Sequence, residues 1–139
     1  MPGTVEERNW AGGCHIAVLA GFVFPFGSIL GPLIVWLMKR NEMPLVDRHG
    51  KDVLNFQISF MIYHIGLIVV GVAGSVVLGM ATASQHAKEP PVELLVAIVG
   101  TILCAVGLTF VNFVLAIIGA VKASNGERFR YPLAIPFFG

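Results

Sequence analysis

The sequence predicts an all-α integral membrane protein. It would be a small bundle with two regular transmembrane helices, a first membrane segment broken by proline and glycine, and an amphipathic cytoplasmic-side approach to the second segment. Three observations predict it. All 17 charged residues lie outside three uncharged blocks, residues 9–38, 53–87 and 94–121, which are 30, 35 and 28 residues long. Each block exceeds the roughly 20 apolar residues that cross a hydrocarbon core about 30 Å thick. Hydrophobic residues make up 56% of the chain and charged residues 12%, against about 25% charge in an ordinary soluble domain. No ten-residue alternation of polar and apolar side chains occurs, which excludes a membrane β-barrel and leaves helices to pair the backbone internally.

The elements follow in order. In the first membrane segment, about residues 10–38, Gly21, Pro25, Gly27, Gly31 and Pro32 crowd the centre, and two prolines seven apart do not fit one regular helix. Trp10 and Trp36 stand near its ends, about 39 Å apart if helical, the separation of two interfacial aromatic belts. That spacing favours a single kinked span. The alternative is a re-entrant hairpin that turns at Phe24-Pro25-Phe26 and brings both tryptophans to one surface. Pro44 suits the first turn of the next helix, which runs through Asp47, Arg48, Lys51 and Asp52 as a surface piece and crosses at about residues 59–80. Lys88, Glu89, Pro90 and Pro91 predict a tight loop. A third membrane segment, about residues 92–121, ends at Lys122, with Asn125-Gly126 as its stop.

The longest charged connection, Lys39 to Asp52, is 14 residues. No loop can fold an independent module, so residues 1–139 read as one membrane domain. Glu6-Glu7-Arg8 is not the basic start of a secretory signal, so the first segment is expected to be retained. The loop 39–52 carries four Lys/Arg and the tail 122–139 three, against Arg8 and Lys88 elsewhere. Loop and C-terminus are therefore predicted to face the cytoplasm across a bacterial inner membrane, in a multi-pass arrangement. The side of the N-terminus depends on whether the first segment spans.

Polar residues inside hydrocarbon are expected to face the bundle. Gln57, Met61, His64, Ile68, Gly71 and Ser75 share one face of the second segment, and Thr101, Ala105, Leu108, Asn112, Ala116 and Gly119 one face of the third. Packing stripes are the first reading, with Gln57, His64 and Asn112 hydrogen-bonding across the contact. A proton or substrate relay through His64 and Asn112 is the sharper alternative. Gly27 to Gly31 matches a small-xxx-small dimer face, or else forms a turn between Pro25 and Pro32. His15, His49, His64 and His86 lie in four separate segments with no metal-ligand spacing, and Cys14 and Cys104 show none, so no metal or cofactor is expected. No nucleophile elbow accompanies an acid and base, which argues against an enzyme. A formal charge of +1 without a concentrated basic patch argues against nucleic acid.

Glu7-Arg8-Asn9-Trp10-Ala11 with His15, Pro25-Phe26-Gly27, Gly31-Pro32-Leu33-Ile34 and Trp36-Leu37 resemble the start of a widespread family of small bacterial membrane proteins of unknown function. Val46-Asp47, His49-Gly50-Lys51, Leu54-Asn55-Phe56-Gln57, Asn125-Gly126-Glu127 and Tyr131-Pro132 continue the resemblance over nearly the whole chain. That family looks related to the twenty-kilodalton Tic component of the chloroplast import translocon. The resemblance implies a four-helix membrane architecture and singles out His49, Asn55, Gln57 and Tyr131 on the cytoplasmic side. There, side-chain amides are expected to tie the tail segment Arg130-Tyr131-Pro132 to the surface piece. The function expected is a non-catalytic subunit or scaffold of a membrane assembly, with the bilayer and a membrane protein or second copy as partners. The alternative is a small homo-oligomeric channel or carrier built on the broken first segment.

Overall fold

Helix starts here have local causes. The Thr4 hydroxyl accepts the Glu7 amide at 3.1 Å, and the Glu7 carboxylate accepts the Thr4 amide at 2.9 Å, a reciprocal capping box. The computed structural model describes residues 3–83 and 92–139, and all elements among them are helical. α1 is Val5–Ile16, followed by a 3-10 helix at Ala17–Phe22; α2 is Gly27–Lys39, α3 Pro44–Thr82 and α4 Val92–Ser124. The loop expected at Lys88 to Pro91, and His86 before it, lie outside the described residues.

The first uncharged block is a hairpin, not a kinked span. The chain reverses at residues 23–26, with Phe26 in the left-handed region at φ 62°, and α2 runs back along the 3-10 helix and α1. Glycine makes the return possible: a Cβ on Gly27 would run into the Ala20 carbonyl, and one on Gly31 into the Ala17 carbonyl. The small-xxx-small face is thus consumed within the chain, which corrects its reading as a dimer face. Val23, Phe24 and Gly27 give their amides to carbonyls of residues 20 and 24 at 3.0–3.2 Å. Trp10 and Trp36 meet at one end, where Lys39 lies 5.5 Å from the Trp10 ring centre.

Pro44 occupies the first position of α3, where its missing amide costs nothing. α4 continues three residues past the expected Val121 and closes in a Schellman motif: the Glu127 amide reaches the Lys122 carbonyl and the Gly126 amide the Ala123 carbonyl, both at 2.9 Å, with Gly126 at φ 77°. α3 and α4 are long and apolar enough to cross a bilayer.

The chain divides into two compact units, one of Met1–Phe60 with Val111–Gly139 and one of Met61–Phe110. The first unit has a core of Ala11, Cys14, Val18, Val46, Val53, Phe56, Ala116, Ala123 and Tyr131. In the second, the His64 imidazole lies 3.2 Å from both the Ala105 carbonyl and the Thr109 hydroxyl. Large side chains such as Val70, Val77 and Met80 point outward, as a lipid-facing surface requires. Ile68 and Leu108, expected on the packing stripes, are exposed as well. Both sit mid-stripe, and Gly71 and Thr101 beyond them do meet, since a Cβ on Gly71 would run into the Thr101 side chain.

Candidate functional site

Three elements of the first unit deliver polar side chains to one buried point. α1 supplies His15, α3 supplies His49 and the tail after α4 supplies Tyr131. His15 and His49 are fully buried, and Tyr131 is 6% exposed. His15 Nδ1 lies 2.7 Å from the Tyr131 hydroxyl, and His15 Nε2 lies 3.0 Å from His49 Nδ1. Hydrogen-bond economy orders the protons. Tyr131 has one O–H and no other hydrogen-bond partner among the described residues, so it is assigned as the donor to His15 Nδ1, and His15 Nε2–H then donates to His49 Nδ1. His49 Nε2 carries the remaining N–H and is buried without a partner among the described residues.

Packing fixes this geometry. The Tyr131 ring stacks on Phe56 at 4.2 Å between centres and meets the edge of Phe129 at 4.8 Å. α4 approaches through Gly119, where a Cβ would collide with His15 Nδ1 and crowd the Tyr131 hydroxyl. Burial keeps His49 and Tyr131 neutral. Burial pushes the His49 imidazole down to about 4, helped by repulsion from Arg48 and Arg128, and burial pushes the Tyr131 phenol up from its ordinary value.

Two more polar contacts surround this chain. Gln57 on α3 and Asn112 on α4 are both buried and exchange amide hydrogen bonds in each direction at 3.2 Å. Asn55 holds the tail: its Oδ1 accepts the Phe137 and Phe138 amides at 2.9 and 2.8 Å, and its Nδ2 donates to the Phe138 carbonyl at 3.0 Å. Ser59, one turn further along α3, accepts the Ile135 amide at 2.8 Å and donates to the Asn55 carbonyl at 2.7 Å.

The residues singled out from the sequence therefore separate into groups. His15, His49 and Tyr131 form the buried chain; Asn55 binds the tail; Gln57 pairs with Asn112 and not with the tail. Pro25 is exposed near the hairpin turn, Gly27 and Pro32 are buried and Gly31 half-buried along it, and Arg130 and Pro132 flank Tyr131 on the surface. His64 belongs to the second unit, where it meets the Ala105 carbonyl and the Thr109 hydroxyl. Ser59 and Gly119 were not singled out as site residues. Ser59 carried a readable signal, since it lies four residues after Asn55 on the same helix face.

The arrangement orders and shields hydrogen bonds. Both nitrogens of His15 are committed to neighbours, and no group of three His, Cys, Asp or Glu side chains gathers among the described residues. Comparison with curated proteins and with solved structures gives no match. A protein-family model does match, over residues 6–138, and so takes in the hairpin, both buried histidines, the amide pair and the tail. The chain belongs to the MamF/MmsF family, the magnetosome magnetite crystal formation protein family.

Proposed function

We propose that this chain is a membrane protein of magnetosome formation that acts as a non-catalytic subunit or scaffold of a membrane assembly. Family membership supports the process. The observation that carries the non-catalytic reading is the fate of the polar core: His15, His49, Tyr131, Asn55, Gln57 and Asn112 are spent on one another and on the tail backbone. Such groups fix a shape, and the one hydroxyl–imidazole pair among them, Tyr131 with His15, is buried away from a substrate. The resemblance to the Tic component, carried by sequence motifs, supports an assembly role. The channel or carrier alternative needs unpaired backbone at the break, and there Val23, Phe24 and Gly27 already give their amides to the turn.

The site of action proposed is a bacterial inner membrane, or a membrane derived from it, with loop 39–52 and the C-terminus cytoplasmic. The test is deletion of the gene in a magnetite-forming host, followed by electron microscopy of the crystals and crosslinking in isolated magnetosome membranes. The expected result is an altered crystal size or number, restored by the wild-type chain, together with a reproducible crosslinked neighbour. Unchanged crystals would remove the process, and a chain that crosslinks to nothing would remove the assembly role.

A further inference from the structure

The first unit holds a second polar feature, which adjoins the buried histidine chain through Tyr131. An open pocket of about 860 Å³ lies between the start of α3 and the tail, within the range of about 300–1,000 Å³ common for small-ligand sites. Five side-chain cations line it: Arg40, Arg48, Lys51, Arg128 and Arg130. Two side-chain carboxylates, Asp47 and Asp52, and the carboxylate of Gly139 line it too, so the cations outnumber the anions by five to three. Asp47 takes Lys51 at 3.0 Å and the Trp36 indole N–H at 2.9 Å, and Asp52 lies 3.6 Å from Arg128.

Arg40, Arg48 and Arg130 make no ion pair among the described residues. Arg40 is held at the wall by the Trp36 ring, 4.7 Å away. Guanidinium groups gathered this way repel one another, and an anion that entered would relieve the repulsion. Their planar forks match phosphate oxygens two at a time, which ammonium groups do not. Ala134, Pro136 and Phe138 give the lining an apolar part, and Asn55 and Ser59 pin it in place through the tail backbone. A cationic lining with an apolar part suits a phosphate attached to an apolar body.

We propose that this pocket binds a phosphate group, with Arg40, Arg48 and Arg130 as the principal contacts. The phosphate comes from a phospholipid head group or from a free phosphate in solution, and the apolar part of the lining points to the lipid. The inference stands independently of the role in magnetosome formation.

The experiment uses the full chain in an uncharged detergent, titrated separately with short-chain phosphatidylglycerol and with inorganic phosphate. Saturable binding is expected for the lipid. At about 1 kcal/mol for each basic residue near an anionic surface, Arg48→Gln with Arg130→Gln should weaken it about 30-fold. Lys39→Gln with Lys122→Gln removes the same charge outside the pocket and should cost about threefold or less, since exposed charges are screened. Arg48→Lys with Arg130→Lys keeps the charge without the forks and should fall between, with circular dichroism verifying the fold of every variant. Lipid binding alone assigns the head group, and saturation by inorganic phosphate assigns a free phosphate. The proposal is overturned if neither ligand saturates, or if the lysine pair costs as much as the arginine pair.

Discussion

Tyr131 supplies the O–H that His15 Nδ1 receives at 2.7 Å, and both side chains are buried. Tyr131→Phe keeps the stack on Phe56 and deletes only that donor, so an unpaired buried acceptor remains. The expected loss is about 1–3 kcal/mol, read as a lower melting temperature of the detergent-solubilised protein with helix content unchanged. Gly119→Ala attacks the same point sterically, pushing a methyl group into His15, and is expected to cost about 1–3 kcal/mol by overpacking. His49 adds a pH dependence. Its folded-state value of about 4 lies below the ordinary 6.5, so between those values the unfolded chain takes up a proton that the folded chain refuses. Stability is fully present above about 6.5 and is lost as pH falls towards about 4. His49→Gln retains a hydrogen-bonding side chain that does not titrate, so the melting temperature should fall less steeply from pH 7 to pH 5. An unchanged slope would assign the titration to another group.

The tail is an element without regular structure, held by side chains of α3. Asn55→Ala removes three hydrogen bonds to Phe137 and Phe138 at once. Because the tail lies at the surface, its freed amides turn to water, so the change should appear as opening rather than as global unfolding. Limited proteolysis is expected to cut after residue 132 much faster in Asn55→Ala than in wild type, with the helical core intact; equal cutting rates would show that Ser59 alone suffices. The elements legible in the sequence were those with local causes. Pro44 marked the start of α3 and Asn125-Gly126 the end of α4, whereas of the amides expected to hold the tail only Asn55 does so, at Phe137 and Phe138 and not at residues 130–132. The hairpin was legible only as an alternative, because spanning and reversing use the same prolines and glycines; what decides is that Gly27 and Gly31 fit the carbonyls of Ala20 and Ala17. The His15–His49 pair was not legible at all. The two residues are 34 positions apart on different helices, and Tyr131 is 116 from His15, so no spacing rule links them.

At the scale of the whole chain, the hairpin changes the expected topology. With Trp10 and Trp36 at one end of it, the start of α1 shares a side with loop 39–52, so Arg8 lies with the seven Lys/Arg of that loop and the tail. Under the proposed orientation that side is the cytoplasmic one, and the start of α1 lies there with it. The hairpin turn exposes Phe22, Val23 and Phe26, at 71%, 82% and 67%, a tip suited to hydrocarbon without requiring the chain to cross it. Cysteine labelling tests this directly. In a Cys104→Ala background, Cys14 remains as a buried and unreactive internal reference. Glu6→Cys, Asn41→Cys and Glu127→Cys are expected to react with a membrane-impermeant thiol reagent only after the cytoplasmic face is opened, whereas Glu93→Cys reacts from outside intact cells. If Glu6→Cys follows Glu93→Cys, the first segment crosses the bilayer. His15 on α1 would then be carried away from His49 and Tyr131, so the labelling pattern and the Tyr131→Phe melting shift must stand or fall together.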